Sequence, residues 1–171
     1  MATSSSGRLL EPGEYWFEDL RDGDHYATGH IVITDAHIIG FAGLSGDFFD
    51  LHMDDAFARE QGFPGRVAHG LLGLAMADGL KNRSSVRIMA VASLGWTWAF
   101  KGPILVGDRI GVTVTVKAKR LTSKGDRGIT TLGFAVANQD GRVVQDGETA
   151  LLTRLRPAGT PIDGAGAATQ S

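Results

Sequence analysis

The chain has 171 residues, of which 43% are hydrophobic and 21% charged, the composition of one ordinary globular domain. Its formal net charge of -2 argues against nucleic acid as the main partner, because phosphate binding requires a basic excess. The sequence contains no cysteine, which excludes disulfides, zinc–thiolate sites and a thiol nucleophile and agrees with an expected cytoplasmic location.

The two ends are predicted to be disordered and the middle to form one domain. Residues 1–9 begin with a small, polar stretch, and residues 157–171 are rich in Gly, Ala and Pro. No secretory leader is evident, and no apolar run reaches the roughly 18 residues that span a bilayer. We therefore expect residues 10–156 to fold as a single domain that does not contact membranes.

The first half of the domain predicts one strand and two short helices. Residues 25–34 contain β-branched and aromatic residues and are predicted to form a strand. Two short helices follow, the first capped by Thr34 or Asp35 and the second by Asp54 or Asp55.

Residues 67–80 have the clearest helical pattern in the sequence. They are apolar nearly all round, which predicts a buried helix rather than an amphipathic surface helix. The glycines within this segment reduce helix propensity but leave a smooth surface for close packing against a sheet.

The second half predicts an antiparallel sheet. Four strand-like segments are separated by turn signals, of which Asp140-Gly141 is the strongest. The segments are residues 86–100, 109–121, 128–138 and 142–155. Trp96 and Trp98 fall on one face of the first segment and are expected to pack in the core. Because a buried helix precedes four sequential strands, the pattern indicates an α+β fold with the sheet wrapped around the helix.

The candidate catalytic residues are concentrated in two segments. The first, residues 41–52 (FAGLSGDFFDLH), places Asp47 five residues before His52, and the second places His69-Gly70 near the start of the buried helix. A carboxylate and an imidazole can share proton transfers near neutral pH, and free N–H groups at a helix start suit a developing oxyanion. Taken alone, the spacing is more typical of a turn aspartate and a loop histidine that bonds to backbone than of a catalytic pair.

These segments, together with residues 100–108, resemble the MaoC-like family, which includes the R-specific enoyl-CoA hydratases. The family signature runs from an aromatic residue through Gly-Asp-x-Asn-Pro-aliphatic-His to a small residue six positions later. It is matched here at Phe41, Leu44, Ser45, Gly46, Asp47, Leu51, His52 and Ala58. The resemblance covers about residues 14–155.

The resemblance implies a single hot-dog fold, an antiparallel sheet around a long central helix, that forms a homodimer or higher homo-oligomer. It implies that Asp47 and His52 are the catalytic pair and that the Gly70 N–H forms the oxyanion hole. The expected activity is reversible addition of water to a trans-2-enoyl thioester, as in fatty acid metabolism. The expected substrate is an acyl-CoA, or an acyl-carrier-protein thioester, with no cofactor beyond the coenzyme A of the substrate.

Three residues depart from the family pattern. Phe49 replaces an Asn, Asp50 replaces a Pro, and Asp78 stands where some R-specific hydratases have a Ser. The Phe49 side chain cannot form the hydrogen bonds of an amide, and Asp50 adds a carboxylate between the catalytic pair. With His69, which fits a structural role at the helix start as well, these residues are candidates for the substrate pocket. They favour a branched or polar acyl group.

Two other functions remain open at the sequence level. An acyl-CoA thioesterase can use the same fold, with water attacking the carbonyl carbon, and the replacements at Phe49 and Asp50 fit a non-catalytic acyl-thioester-binding subunit. The acidic residues around His52 could also bind Ca²⁺ or Mg²⁺ through their oxygen atoms. Their spacing matches no calcium loop, and we expect no metal site.

Overall fold

The computed structural model describes residues 7–159, and the disorder predicted for residues 1–6 and 160–171 lies outside the described residues. The strands are β1 (Gly13–Tyr15), β2 (His25–Val32), β3 (Val86–Ile88), β4 (Ala90–Phe100), β5 (Arg109–Leu121), β6 (Arg127–Ala137) and β7 (Val143–Arg154). The helices are α1 (Asp35–Ser45), α2 (Asp50–Met53), α3 (Asp55–Glu60) and α4 (Gly70–Asn82), with a 3-10 turn at Phe17–Asp19. No helix in the described part of the chain is long and apolar enough to cross a membrane.

Five strands form one antiparallel sheet in the order β2-β5-β6-β7-β4. Strands β5, β6 and β7 pair in chain order, whereas β4 pairs with β7 and β2 with β5, so β4 and β2 lie at the two edges. The short strands β1 and β3 form a separate parallel pair. This antiparallel sheet with helix α4 packed against it confirms the α+β fold predicted from the sequence.

Helix α4 packs against the sheet and supplies part of the hydrophobic core. Its buried residues Leu72, Ala77 and Leu80 belong to the same core cluster as buried valines and leucines of the sheet. Trp96 and Trp98 pack edge-on against the ring of Phe134 of β6, with ring centroids 5.1 and 5.7 Å apart, which confirms their predicted place at the core.

Helix α4 begins three residues later than the sequence pattern predicted. Val67 forms a β-bridge with Leu105, and the Ala68 N–H donates to the Ile104 carbonyl at 2.8 Å. These backbone groups are therefore used between chain segments and not within a helix, and residues 67–69 remain extended. The prediction of helix from residue 67 was wrong because an apolar run does not distinguish buried extended chain from buried helix.

The strand predicted at residues 86–100 is divided into β3 and β4, and β4 contains two shifts in its register with β7. Strands β4 and β7 lie close together at Gly147 of β7. A Cβ atom on Gly147 would be 2.3 Å from the carbonyl oxygen of Thr97, so only glycine fits there without displacing β4. This close pairing fixes Trp98 opposite Gly147, and further along β4 Phe100 lies over Gly70 at the start of α4.

The helices before α4 are set by their caps. The capping position that the sequence left open between Asp54 and Asp55 is occupied by Asp54, whose carboxylate accepts hydrogen bonds from the N–H groups of Ala56 and Phe57. Thr34 occupies the N-cap of α1, one of the two predicted residues. The four-residue helix α2 was not predicted, and it carries His52.

Candidate active site

Asp47 lies in the loop between α1 and α2, just after a sharp turn. Helix α1 ends at Ser45, and the next residue, its C-cap Gly46, has a φ of 79° in the left-handed region that favours glycine. The Ser45 hydroxyl donates to the Phe41 carbonyl at 2.7 Å and accepts from the Asp47 N–H at 3.2 Å. The Phe49 N–H then donates to Asp47 Oδ1 at 3.3 Å. The turn thus presents an exposed carboxylate beside α2.

The ring of His52 is fixed by a hydrogen bond to the chain just before α4. Its Nδ1 lies 2.6 Å from the Val67 carbonyl oxygen. Because a carbonyl can only accept, Nδ1 carries the proton, and in the neutral imidazole the lone pair is then on Nε2. His52 is therefore held in the tautomer that leaves Nε2 available to take up a proton.

His69 lies behind His52 and is 2% exposed. Its Nε2 donates to the backbone carbonyl of Asp47 at 2.9 Å, and its ring stacks on His52 with centroids 3.8 Å apart and planes 30° apart. The ring of Phe41 contacts it from another side, at 5.0 Å between centroids. Because it is covered by these groups, His69 does not line the open pocket.

Phe49 holds the loop that carries Asp47 through packing and its backbone, not through a side-chain hydrogen bond. Its ring stands edge-on to His52, with centroids 6.1 Å apart, and edge-on to Phe57 of α3, at 5.7 Å. The His52 ring is consequently bordered by Phe49 and by His69. Phe49, at the position of the family's asparagine, thus contacts this ring through its own ring.

The first turn of α4 faces a pocket of about 340 Å³. Gly70 is the first residue of α4, and the N–H groups of a first turn have no partner within the helix. The ring of Phe100 lies over this glycine so closely that a Cβ atom would be 2.6 Å from it. The pocket is lined by His52, Gly70, Phe100, Lys101, Ile104 and Gln145, among others. An imidazole base and a helix start therefore open onto one pocket.

Gln145 connects β7 to the start of α4, a role that the sequence analysis missed. Its Nε2 donates to the Gly70 carbonyl at 3.1 Å, and its Oε1 accepts from the Trp98 indole N–H at 3.0 Å. Gln145 is 2% exposed, and a Cβ atom on Gly73 would collide with its amide. A polar residue at a buried strand position was the available signal, because such residues require hydrogen-bond partners.

Asp50 and Asp78, two candidates for the substrate pocket, do not line the pocket beside His52 and Gly70. Asp50 is exposed at the first position of α2. Asp78 follows Gly70 by eight residues, about 12 Å along the helix axis, and its carboxylate is 2.6 Å from Lys81 Nζ. Burial and the nearby Asp78 carboxylate raise the pKa of Tyr26 above its ordinary value.

Arg66 anchors the segment that leads into α4. Its guanidinium is 2.6 Å from Asp35 at the start of α1, and its backbone N–H donates to the Asp55 carboxylate at 2.8 Å. This backbone hydrogen bond, with the charge of Arg66, lowers the pKa of Asp55 from its ordinary value. The starts of α1 and α3 are thus tied to the residue just before Val67.

Asp47, His52 and His69 also have the residue types of a metal site, with one ligand atom of each within 4.8 Å of the others. The two rings are stacked with planes 30° apart, however, which is a poor arrangement for two in-plane lone pairs that must reach one ion. Two of the four ring nitrogens are also occupied as donors to carbonyl oxygens. This arrangement suits proton transfer better than metal coordination.

Residues 21–138 match the family model described as MaoC like domain. The chain is 38% identical over 111 residues to Protein MaoC of Klebsiella aerogenes, a match that covers 64% of this chain and 33% of that protein. It is 34% identical over 113 residues to the (R)-specific enoyl-CoA hydratase of Aeromonas caviae, covering 66% of this chain and 81% of the relative.

Solved structures agree with the fold. The MaoC-like dehydratase of Rhodospirillum rubrum has a TM-score of 0.75 and 28% identity, and the superposition covers 84% of this chain and 99% of that one. A Mycobacterium tuberculosis protein with a double hot-dog fold has a TM-score of 0.74 at 21% identity, covering 89% of this chain and 48% of that one, a likeness of fold alone. These similarities confirm the predicted hot-dog fold.

The contacts of Gln145 predict a measurable loss of stability in Gln145→Leu. Leucine fills a similar volume at this buried position but leaves the Trp98 N–H and the Gly70 carbonyl without this partner, which costs about 1–3 kcal/mol. Urea denaturation measures the loss. Gln139→Leu is the matched control, because Gln139 also makes two hydrogen bonds but is exposed, so water replaces them. Equal losses in the two variants would contradict the role of Gln145.

Proposed function

Because this chain belongs to the MaoC-like domain family, we propose that it is a hydratase that adds water reversibly to a trans-2-enoyl-CoA and forms an R-3-hydroxyacyl-CoA. The observation that carries the proposal is the fixed tautomer of His52, whose Nδ1–H is bound by the Val67 carbonyl. This leaves a free Nε2 on a ring that has a nitrogen within 4.8 Å of an Asp47 carboxylate oxygen. The name of the Aeromonas caviae relative supports the same reaction.

In the proposed reaction, Asp47 and His52 hold one water molecule between them. The pair takes a proton from this water while its oxygen forms a bond to the β-carbon of the enoyl group. The electron pair of the double bond moves toward the thioester oxygen. Asp47 and His52 then return a proton to the α-carbon, so the net change is the addition of one water. No cofactor enters the reaction beyond the coenzyme A of the substrate.

The start of α4 supports the charge that develops on the thioester oxygen. The Gly70 N–H is in the first turn, where the helix dipole and unpaired amides favour a negative charge. The pocket beside it also contains His52, so a thioester bound there places its carbonyl near Gly70 and its double bond near the base. Lys101 lines the same pocket and can attract the phosphates of coenzyme A.

The acyl group is proposed to be branched or polar. Asp78 and Lys81 form an ion pair on α4, the helix that begins at the proposed oxyanion hole. This ion pair gives the helix polar atoms, which an all-apolar helix face would lack. The proposal predicts activity with polar or branched enoyl-CoAs. A strong preference for unbranched, medium-length substrates would contradict it.

The protein is proposed to act as a homodimer whose two sheets join. Strand β4 is an edge of the sheet, and its backbone donors and acceptors on that side are open to another strand. The large apolar residues Val91, Leu94 and Phe100 of this strand are about half exposed. A second copy paired along β4 would cover them.

The catalytic pair is tested by Asp47→Asn and His52→Gln. Each variant removes one proton-transfer group, so hydration of crotonyl-CoA should slow by roughly 100-fold or more while thermal unfolding stays near that of the wild type. Loss of the conjugated enoyl absorbance measures the rate. Asp126→Asn, in the exposed turn between β5 and β6, is the control and should retain the wild-type rate.

Three outcomes would contradict the proposal. Near-normal rates in both site variants would remove Asp47 and His52 from the chemistry. Release of free coenzyme A without hydroxyacyl-CoA would indicate a thioesterase, and thioester binding without turnover in the wild type would indicate a binding subunit.

The proposed dimer is tested by Leu94→Lys. The charge on β4 should disfavour pairing with a second copy and convert a dimer to a monomer in analytical ultracentrifugation. Leu121→Lys is a matched control, because Leu121 has the same 52% exposure but lies at the end of β5, away from this edge. A monomeric wild type, or equal dissociation in both variants, would contradict this interface.

A further inference from the structure

We propose that His69 is a positioning residue for the hydration, which fixes the backbone of Asp47 and the ring of His52 at the same time. The inference rests on the proposed function and deepens it, because it assigns a role to a residue outside the proton-transfer pair. His69 does not touch the substrate in this account. It acts through the two residues that do.

The first contact of His69 restrains the loop that carries the carboxylate. The hydrogen bonds of Ser45 and Phe49 around Asp47 are local, within a few residues of chain. The bond from His69 Nε2 to the Asp47 carbonyl instead spans 22 residues and joins the loop to the N-cap position of α4. It therefore sets the distance between the carboxylate and the helix start that holds the thioester oxygen.

The second contact restrains the ring of the base. The Val67 bond fixes one nitrogen of His52 but still allows the ring to rotate about that hydrogen bond. Stacking of the His69 ring at 3.8 Å closes one face of His52, and the edge-on ring of Phe49 borders it as well. The direction of the free Nε2 lone pair is thereby fixed relative to Asp47.

Packing alone does not explain a histidine at this position. The ring is buried, yet its Nδ1 has no hydrogen-bond partner among the described residues. A buried polar atom without a partner is costly, and phenylalanine would pack against Phe41 and His52 without that cost. What histidine adds over phenylalanine is the Nε2–H that holds the Asp47 carbonyl.

The test compares His69→Phe with His69→Gln. Phenylalanine keeps the ring but has no donor, so kcat should fall by roughly 10- to 100-fold with KM within about twofold, the effect of misplaced reacting groups. Glutamine has an N–H that reaches as far as Nε2, so it should recover most of kcat. If the phenylalanine variant does not fold, His69→Asn replaces it, because the shorter amide does not reach the carbonyl.

A double-mutant cycle separates positioning from a general structural effect. If His69 acts through Asp47, then His69→Phe should cost less than about threefold in an Asp47→Asn background. The same loss of kcat in both backgrounds, a glutamine variant no better than phenylalanine, or an unchanged kcat in His69→Phe would each overturn the inference. Inactivity of the wild type, or a full rate in Asp47→Asn, would instead contradict the proposed function itself.

Discussion

The extended backbone of residues 67–69 sets the geometry of the whole candidate site. Its first carbonyl, that of Val67, receives the Nδ1–H of His52, and its last side chain, that of His69, binds the Asp47 carbonyl. The helix begins immediately afterwards, so the N–H of Gly70 is left free at the same place. If this segment were helical, the Val67 carbonyl would be bonded within the helix and His52 would lose its anchor.

Tertiary contacts keep this segment extended. Val67 and Ala68 pair with the chain around Leu105, Arg66 is tied to α1 and α3, and Gln145 holds the Gly70 carbonyl from β7. The proposed base, the carboxylate loop and the oxyanion site therefore depend on contacts that residues 66–70 make with four separate parts of the chain. A rigid support of this kind is what proton transfer requires, because small displacements of the reacting groups are costly.

Local sequence signals predicted the sheet well and the site in part. Turn residues such as Asp140-Gly141 predicted the boundaries of β5, β6 and β7 to within about one residue of those in the structure, because hairpin turns depend on local sequence. The delayed start of α4 and the hydrogen bonds of Gln145 could not be predicted, because both depend on residues distant in sequence. Resemblance to a family predicted Asp47, His52 and Gly70 as a set, and the structure places them around one short segment; their catalytic roles stay predictions.

The most direct measurement of the central claim is the reaction of crotonyl-CoA in water labelled with oxygen-18, followed by mass spectrometry. The account predicts one labelled oxygen at the β-carbon of an intact 3-hydroxyacyl-CoA from the wild type and almost none from Asp47→Asn in the same time. Label in a free carboxylate with release of coenzyme A, or equal labelling by wild type and variant, would contradict it.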